Sequence, residues 1–90
     1  MALLSEGEWI ALTRLYAVGR RGIEYEGRRY AAAGSWPALK ALRDHDPPLA
    51  REIVRLDPNN QTTHYLMIIT DAGVKFYEQH RRKYNAFYPP

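Results

Sequence analysis

The sequence predicts a small α+β domain in which a few helices pack on a narrow sheet. Three stretches predict it. Ser5-Glu6-Gly7-Glu8 stands at the head of apolar residues spaced by three and four, as a helix requires; Thr63 to Ile69 is an apolar, partly β-branched run of strand length; and Thr70-Asp71-Ala72-Gly73 then opens a second amphipathic helix. Three to four helices with two or three strands, the last helix being long, account for the whole chain as one domain. At 90 residues, only about 60 to 65% of the unfolded surface can be buried, so there is one core and no second catalytic domain.

The first helix is read from its capping box. Ser5 takes the N-cap position with Glu8 three residues on, so each side chain satisfies a backbone donor of the other's residue, and Leu4 and Trp9 stand where a hydrophobic staple would. Trp9, Leu12, Leu15, Tyr16 and Val18 continue the apolar stripe to Gly19, which can end the helix at positive φ. Residues 20 to 35 admit two readings. As strands, Ile23, Tyr25 and Tyr30 alternate around a turn at Glu26-Gly27; as a helix, Tyr25 to Ala33 ends at Gly34 after a short strand near Ile23, and the three consecutive alanines favour the helix.

Ser35 is an N-cap for the next helix, which runs to about Asp44 with Pro37 in its first turn. Trp36, Lys40 and Arg43 line one side of it, and Ala38, Leu39 and Leu42 line another. Asp46-Pro47-Pro48 interrupts the chain, and a further helical turn is expected from Leu49 to Glu52. Ile53 to Asp57 fits a continued helix through Leu49, Ile53 and Leu56, or a strand in which Val54 and Leu56 alternate with charges. Pro58 to Gln61 is a turn by composition. The strand from Thr63 to Ile69 is apolar on both faces, which predicts cover on two sides. Thr70 caps the last helix, whose Val74, Tyr77, Tyr84 and Tyr88 form a stripe flanked by Phe76 and Phe87 and which ends before Pro89. That stripe either seats a second copy of the chain, with Tyr77, Tyr84, Phe87 and Tyr88 forming a homodimer seam, or folds back on the core of its own chain.

The apolar fraction, 46%, is that of a folded chain, and with no cysteine neither disulfides nor thiolate metal sites contribute. No apolar run approaches the roughly 18 to 20 residues that span a bilayer. The first residues, MALLSEGE, are acidic and lack a signal peptide's apolar core. The expectation is a soluble cytoplasmic protein with no membrane partner. The formal charge is +3, and its cations cluster at Arg20-Arg21, Arg28-Arg29 and Arg81-Arg82-Lys83. Such clusters attract phosphate, although most charge clusters are simply solvated faces. The last of them lies late in a helix, where cations suit the dipole alone.

The stretch EIVRLDPNNQTTHYLMIITDAGVKFYE, a strand, a polar tip, a second strand and a helix opened by Thr-x-x-Gly, resembles the end of bacterial winged-helix regulators of the MarR and PadR type. In these, Leu-Thr-x-x-Gly commonly begins the helix after the wing, and Ile69-Thr70-Asp71-Ala72-Gly73 differs by Ile for Leu. Upstream, AAAGSWPALKALRD looks like the turn and recognition helix, so the resemblance covers residues 23 to 80. If residues 23 to 31 are instead a hairpin, residues 48 to 56 become the third helix.

The resemblance implies a sequence-specific DNA-binding protein, a transcriptional regulator that holds double-stranded DNA. Lys40 and Arg43 are then the groove contacts, with Ser35 at a phosphate and Arg28 and Arg29 facing the backbone. Arg55, Asn59, Asn60, Gln61, Thr62 and Thr63 make up the wing. A winged-helix module that binds protein and not DNA is the alternative, since fold alone does not fix function and acidic residues lie among these cations. No enzyme, cofactor or metal site is expected. Asp44-His45-Asp46 is the one acid-base cluster, and its adjacent side chains diverge; Ser5 and Ser35 are explained as caps.

Overall fold

The computed structural model describes residues 3–25, 36–59 and 61–89. In chain order these form α1 (Glu6–Val18), a 3-10 turn (Gly19–Arg21), β1 (Ile23–Tyr25), α2 (Trp36–Asp44), β2 (Ala50–Asp57), β3 (Thr62–Ile69) and α3 (Asp71–Phe87). The strands make one antiparallel sheet in the order β1-β3-β2. The domain is thus of α+β class, with three helices and a three-stranded sheet among the described residues.

The local signals at the helix starts are realised as hydrogen bonds. Ser5 Oγ accepts from Glu8 N–H at 3.2 Å and Glu8 Oε1 accepts from Ser5 N–H at 3.1 Å, closing the capping box. Gly19, at φ 60°, ends the helix. At the head of α3, Thr70 Oγ1 accepts from Gly73 N–H and donates to the Pro48 carbonyl, so one hydroxyl caps the helix and pins the loop before β2. Gly73 is required there: a Cβ would collide with the Leu49 carbonyl oxygen and come within 2.7 Å of Ile69 Cγ1. Gly22, at φ 71°, likewise crosses β3 so closely that a Cβ would lie 2.9 Å from the Met67 carbonyl.

Leu12, Leu15, Leu39, Leu42, Leu49 and Met67 are the largest fully buried side chains, so the core is a layer of α1 and α2 against the base of the sheet. Ala38, Leu39 and Leu42 are the buried face of α2, as their spacing predicts. Register decides the rest. Ile23 pairs with Met67, and Ala50 with Ile69, so Ile23, Met67 and Ala50 share one sheet face and are its buried end. Residues of opposite parity, Glu24, Arg55, His64, Leu66 and Ile68 among them, lie on the face turned away from the helices.

Three expectations are corrected. The helical turn at Leu49 to Glu52, and with it a third helix over 48 to 56, gives way to strand from Ala50 on. Leu49 N–H donates to the Leu42 carbonyl and its own carbonyl accepts from Thr70 N–H, so the backbone is already committed before β2 begins to pair with β3. Tyr25, which the helical reading of residues 20 to 35 put at the head of a helix and the strand reading put in a strand with Ile23, is the last residue of β1; residues 26 to 35, with the hairpin turn and the rest of that helix, fall outside the described residues. Third, β3 is covered on both faces only at Leu66 and Met67: Tyr65 is 47% exposed and Thr62 and Thr63 are exposed beyond it.

Helix α3 packs its tyrosine stripe on α1. Trp9 stacks between Tyr77 and Tyr84, at ring centroid distances of 5.0 and 4.6 Å, and Tyr16 stacks on Tyr77. Trp9 Nε1–H donates to Asn85, Leu4 N–H donates to the Tyr84 hydroxyl, and the Tyr88 hydroxyl donates to the Leu4 carbonyl. Of the residues named for a homodimer seam, Tyr84 is buried, Tyr77 and Tyr88 are half-buried against their own chain, and Phe87 stays exposed, which favours the reading in which the stripe folds back on its own core. The hydroxyls of Tyr84 and Tyr88 are both spent on Leu4.

Candidate nucleic-acid or protein interface

Helix α2 enters with its apolar face down, which turns Lys40 and Arg43 outward and leaves Trp36 half-buried at the edge of the core. Arg43 does not extend freely into solvent. Its Nη1–H donates to Glu52 on β2, its Nε–H donates to Asp44 at 3.0 Å, and its guanidinium carbon lies 5.7 Å from the centre of the Trp36 ring. Two carboxylates and an indole hold one cation, with 29% of its side chain exposed. The pair also joins α2 to the hairpin, because Glu52 lies on the sheet face that carries the core. Lys40, one turn earlier, is exposed.

The same contact perturbs both partners. Donation from Arg43 to Asp44 draws the carboxylate below its usual range, with the nearby Lys40 charge adding to the effect, and the two carboxylates raise the affinity of Arg43 for its proton. Because the folded-state pKa of Asp44 is depressed, its contribution is present above its unfolded value and is lost as pH falls through the lower, folded value. Asp44→Asn is therefore expected to lower the melting temperature slightly at neutral pH and to converge on the wild type as pH falls below about 4, which flattens its acid limb; the effect is small because the pair is exposed.

Towards the tip, β2 and β3 continue past the helices. On the core-side face this leaves Val54 (61% exposed), Leu56 (68%) and Tyr65 (47%) in solvent, with Thr63 opposite Leu56. On the other face, His64 Nδ1 lies 2.8 Å from the Glu24 carboxylate, beside Arg55 and Asp57 in a shallow cleft. The turn is closed by the Asp57 carboxylate, which accepts from Asn59 N–H, and by Gln61 at φ 55°.

The predicted contact residues are therefore only partly brought together. Lys40 and Arg43 share α2; Arg55 belongs to the sheet face turned away from α2; Asn59, Gln61, Thr62 and Thr63 surround the turn in exposed positions. Arg28, Arg29, Ser35 and Asn60 lie outside the described residues. Sequence reasoning missed Glu52 as the anchor of Arg43, and although it noted that Val54 and Leu56 alternate with charges, it missed that they share an exposed face with Tyr65.

His45 Nδ1 lies 2.9 Å from the Pro47 carbonyl, and its ring meets Phe76 edge-on. Among the described residues no group of histidine and carboxylate side chains is arranged to hold a metal ion, and no helix is long and apolar enough to cross a membrane. No family model matches the chain, and no curated protein or solved structure matches it either.

Proposed function

We propose that the domain is of winged-helix type and acts as a cytoplasmic DNA-binding regulator, with α2 in the major groove and the hairpin against the neighbouring backbone. The observation that carries this reading is the Arg43–Glu52 bridge, which sets the outward stripe of α2 beside the core-side face of the protruding hairpin. A guanidinium already held over an indole loses little freedom on meeting a phosphate or a base. Lys40 supplies the cation next to it, and Asn59, Gln61 and Thr63 supply polar groups at the tip.

A second reading, a protein-binding module of the same architecture, has its own support. On the α2 side, the charges of Lys40 and Arg43 are balanced by Asp44 and Glu52, and the hairpin adjoining them exposes Val54, Leu56 and Tyr65. A neutral, apolar surface suits a protein better than a polyanion.

Fluorescence anisotropy with a random-sequence duplex across a salt series separates the two. For DNA binding, affinity falls with salt on a log-log slope of about four to six. Lys40→Ala is expected to lower that slope by about one and to weaken binding several-fold, with an unchanged melting temperature. Absence of binding at low salt would leave the protein-binding reading.

A further inference from the structure

We infer that the outer face of α1 is a self-association surface, on which α1 of a second copy lies antiparallel with Ile10 at the two-fold axis. The core takes one side of this helix, where Trp9, Ala11, Leu12 and Leu15 are buried. Ile10 stands at the middle of the opposite side, 44% exposed, with Glu6, Gly7, Arg14 and Ala17 exposed about it. Beside it a groove of about 290 Å³ runs between α1 and the end of α3, bordered by Ile10, Thr13 and Arg14 from the first helix and by Asn85, Tyr88 and Pro89 from the second. An apolar residue centred on a solvent-facing stripe, next to a groove, is a seat for another helix.

Charge selects the occupant. Glu6 and Arg14 lie four residues before and four after Ile10, which puts them ~6 Å along the helix in either direction and about 40° round it to either side. A two-fold axis at Ile10 makes two copies of α1 antiparallel and brings residues equally far from Ile10, one before it and one after, to the same level. Glu6 of each copy is then level with Arg14 of the other, twice over, and both side chains are long enough to meet across the seam. A parallel pair in register sets Glu6 against Glu6 and Arg14 against Arg14. The face is complementary to itself in one direction only.

Size agrees with charge. Gly7 comes level with the partner's Thr13, so the residues next to Ile10 are small and the helix axes can close on it. Among the described residues nothing within 4 Å would meet a Cβ at Gly7, so packing inside the chain asks for no glycine there, and in a helix glycine costs about 1 kcal/mol against alanine. A close second helix does ask for it. The partner's Thr13 and Ala17 then stand level with Tyr88 and Pro89, across the groove. One helix pair lies at the small end of specific interfaces, so the dimer is weak, with a Kd of about 10 to 100 μM. It draws on neither α2 nor the hairpin, and stands or falls apart from DNA binding.

Sedimentation velocity over a concentration series tests it. The wild-type chain is expected to pass from monomer to dimer as concentration rises. Glu6→Lys and Arg14→Glu each set like charges level with one another twice and are expected to weaken the dimer about tenfold or more. An equimolar mixture of the two variants restores opposite charges at both positions, so it is expected to dimerise where each variant alone does not. Circular dichroism verifies that both are folded. Should either fail to fold, Ile10→Lys, at a site exposed in the monomer, is expected to abolish the dimer by itself. A wild-type chain that stays monomeric to about 1 mM, folded variants that dimerise like the wild type, or a mixture of folded variants that stays monomeric would each overturn the inference.

Discussion

Gly73→Ala is expected to destabilise the domain by about 3 kcal/mol, a fall in melting temperature on the order of 15 °C for a chain of this size. The sign is diagnostic. In an open helix alanine is the better residue by about 1 kcal/mol, so the intrinsic preference works against the prediction. What reverses it is the Leu49 carbonyl, which accepts from Thr70 N–H and lies against the place a Cβ would take, with Ile69 on its other side. To make room, α3 must lift from β2, weakening the Thr70 cap and its bond to Pro48 together. Thermal denaturation followed by circular dichroism measures the shift; a melting temperature equal to or above the wild type would show that the helix start is not seated on Leu49.

Trp9→Ala is expected to cost about 3 to 5 kcal/mol, enough to unfold much of the population of a marginally stable domain. Trp9 is only 2% exposed, stacks on Tyr77 and Tyr84, and donates its indole N–H to Asn85. Its removal opens a cavity and takes from α3 the platform on which its stripe rests. Phe87→Ala, at a site 56% exposed, is expected to stay within about 0.5 kcal/mol. Urea denaturation of the two variants compares them directly. If the tyrosine stripe instead served a second copy, the order would be reversed and Phe87 would be the costly site.

The elements best legible in the sequence are those fixed by chemistry within one turn of chain. Ser5 with Glu8, and Thr70 with Gly73, announce helix starts because their hydrogen bonds join residues three apart, and the structure places both. Residues 49 to 57 were not decidable in that way. Leu49, Ile53 and Leu56 satisfy a helical period while Val54 and Leu56 satisfy an alternating one, and the choice is made by β3, whose partner groups arrive from the other side of a turn.

The tyrosines of α3 teach a related lesson. Periodicity tells which face of a helix is apolar and is silent about what lies on it, so a stripe that belongs to α1 reads equally well as a dimer seam. Arg43 was legible as an outward cation, but its carboxylate partner, Glu52, belongs to another element, brought near by packing. Likewise, Arg55 and Lys40 look equivalent as cations; only the register of β2 separates the faces on which they stand.

The clasp between Leu4 and the pair Tyr84 and Tyr88 fixes where the polypeptide enters and leaves the domain. Both ends emerge at one doorway, at the pole formed by the start of α1 and the close of α3. A unit so wired can be spliced into a surface loop of a larger host, because two flanking linkers of a few residues span the gap without prising the host apart.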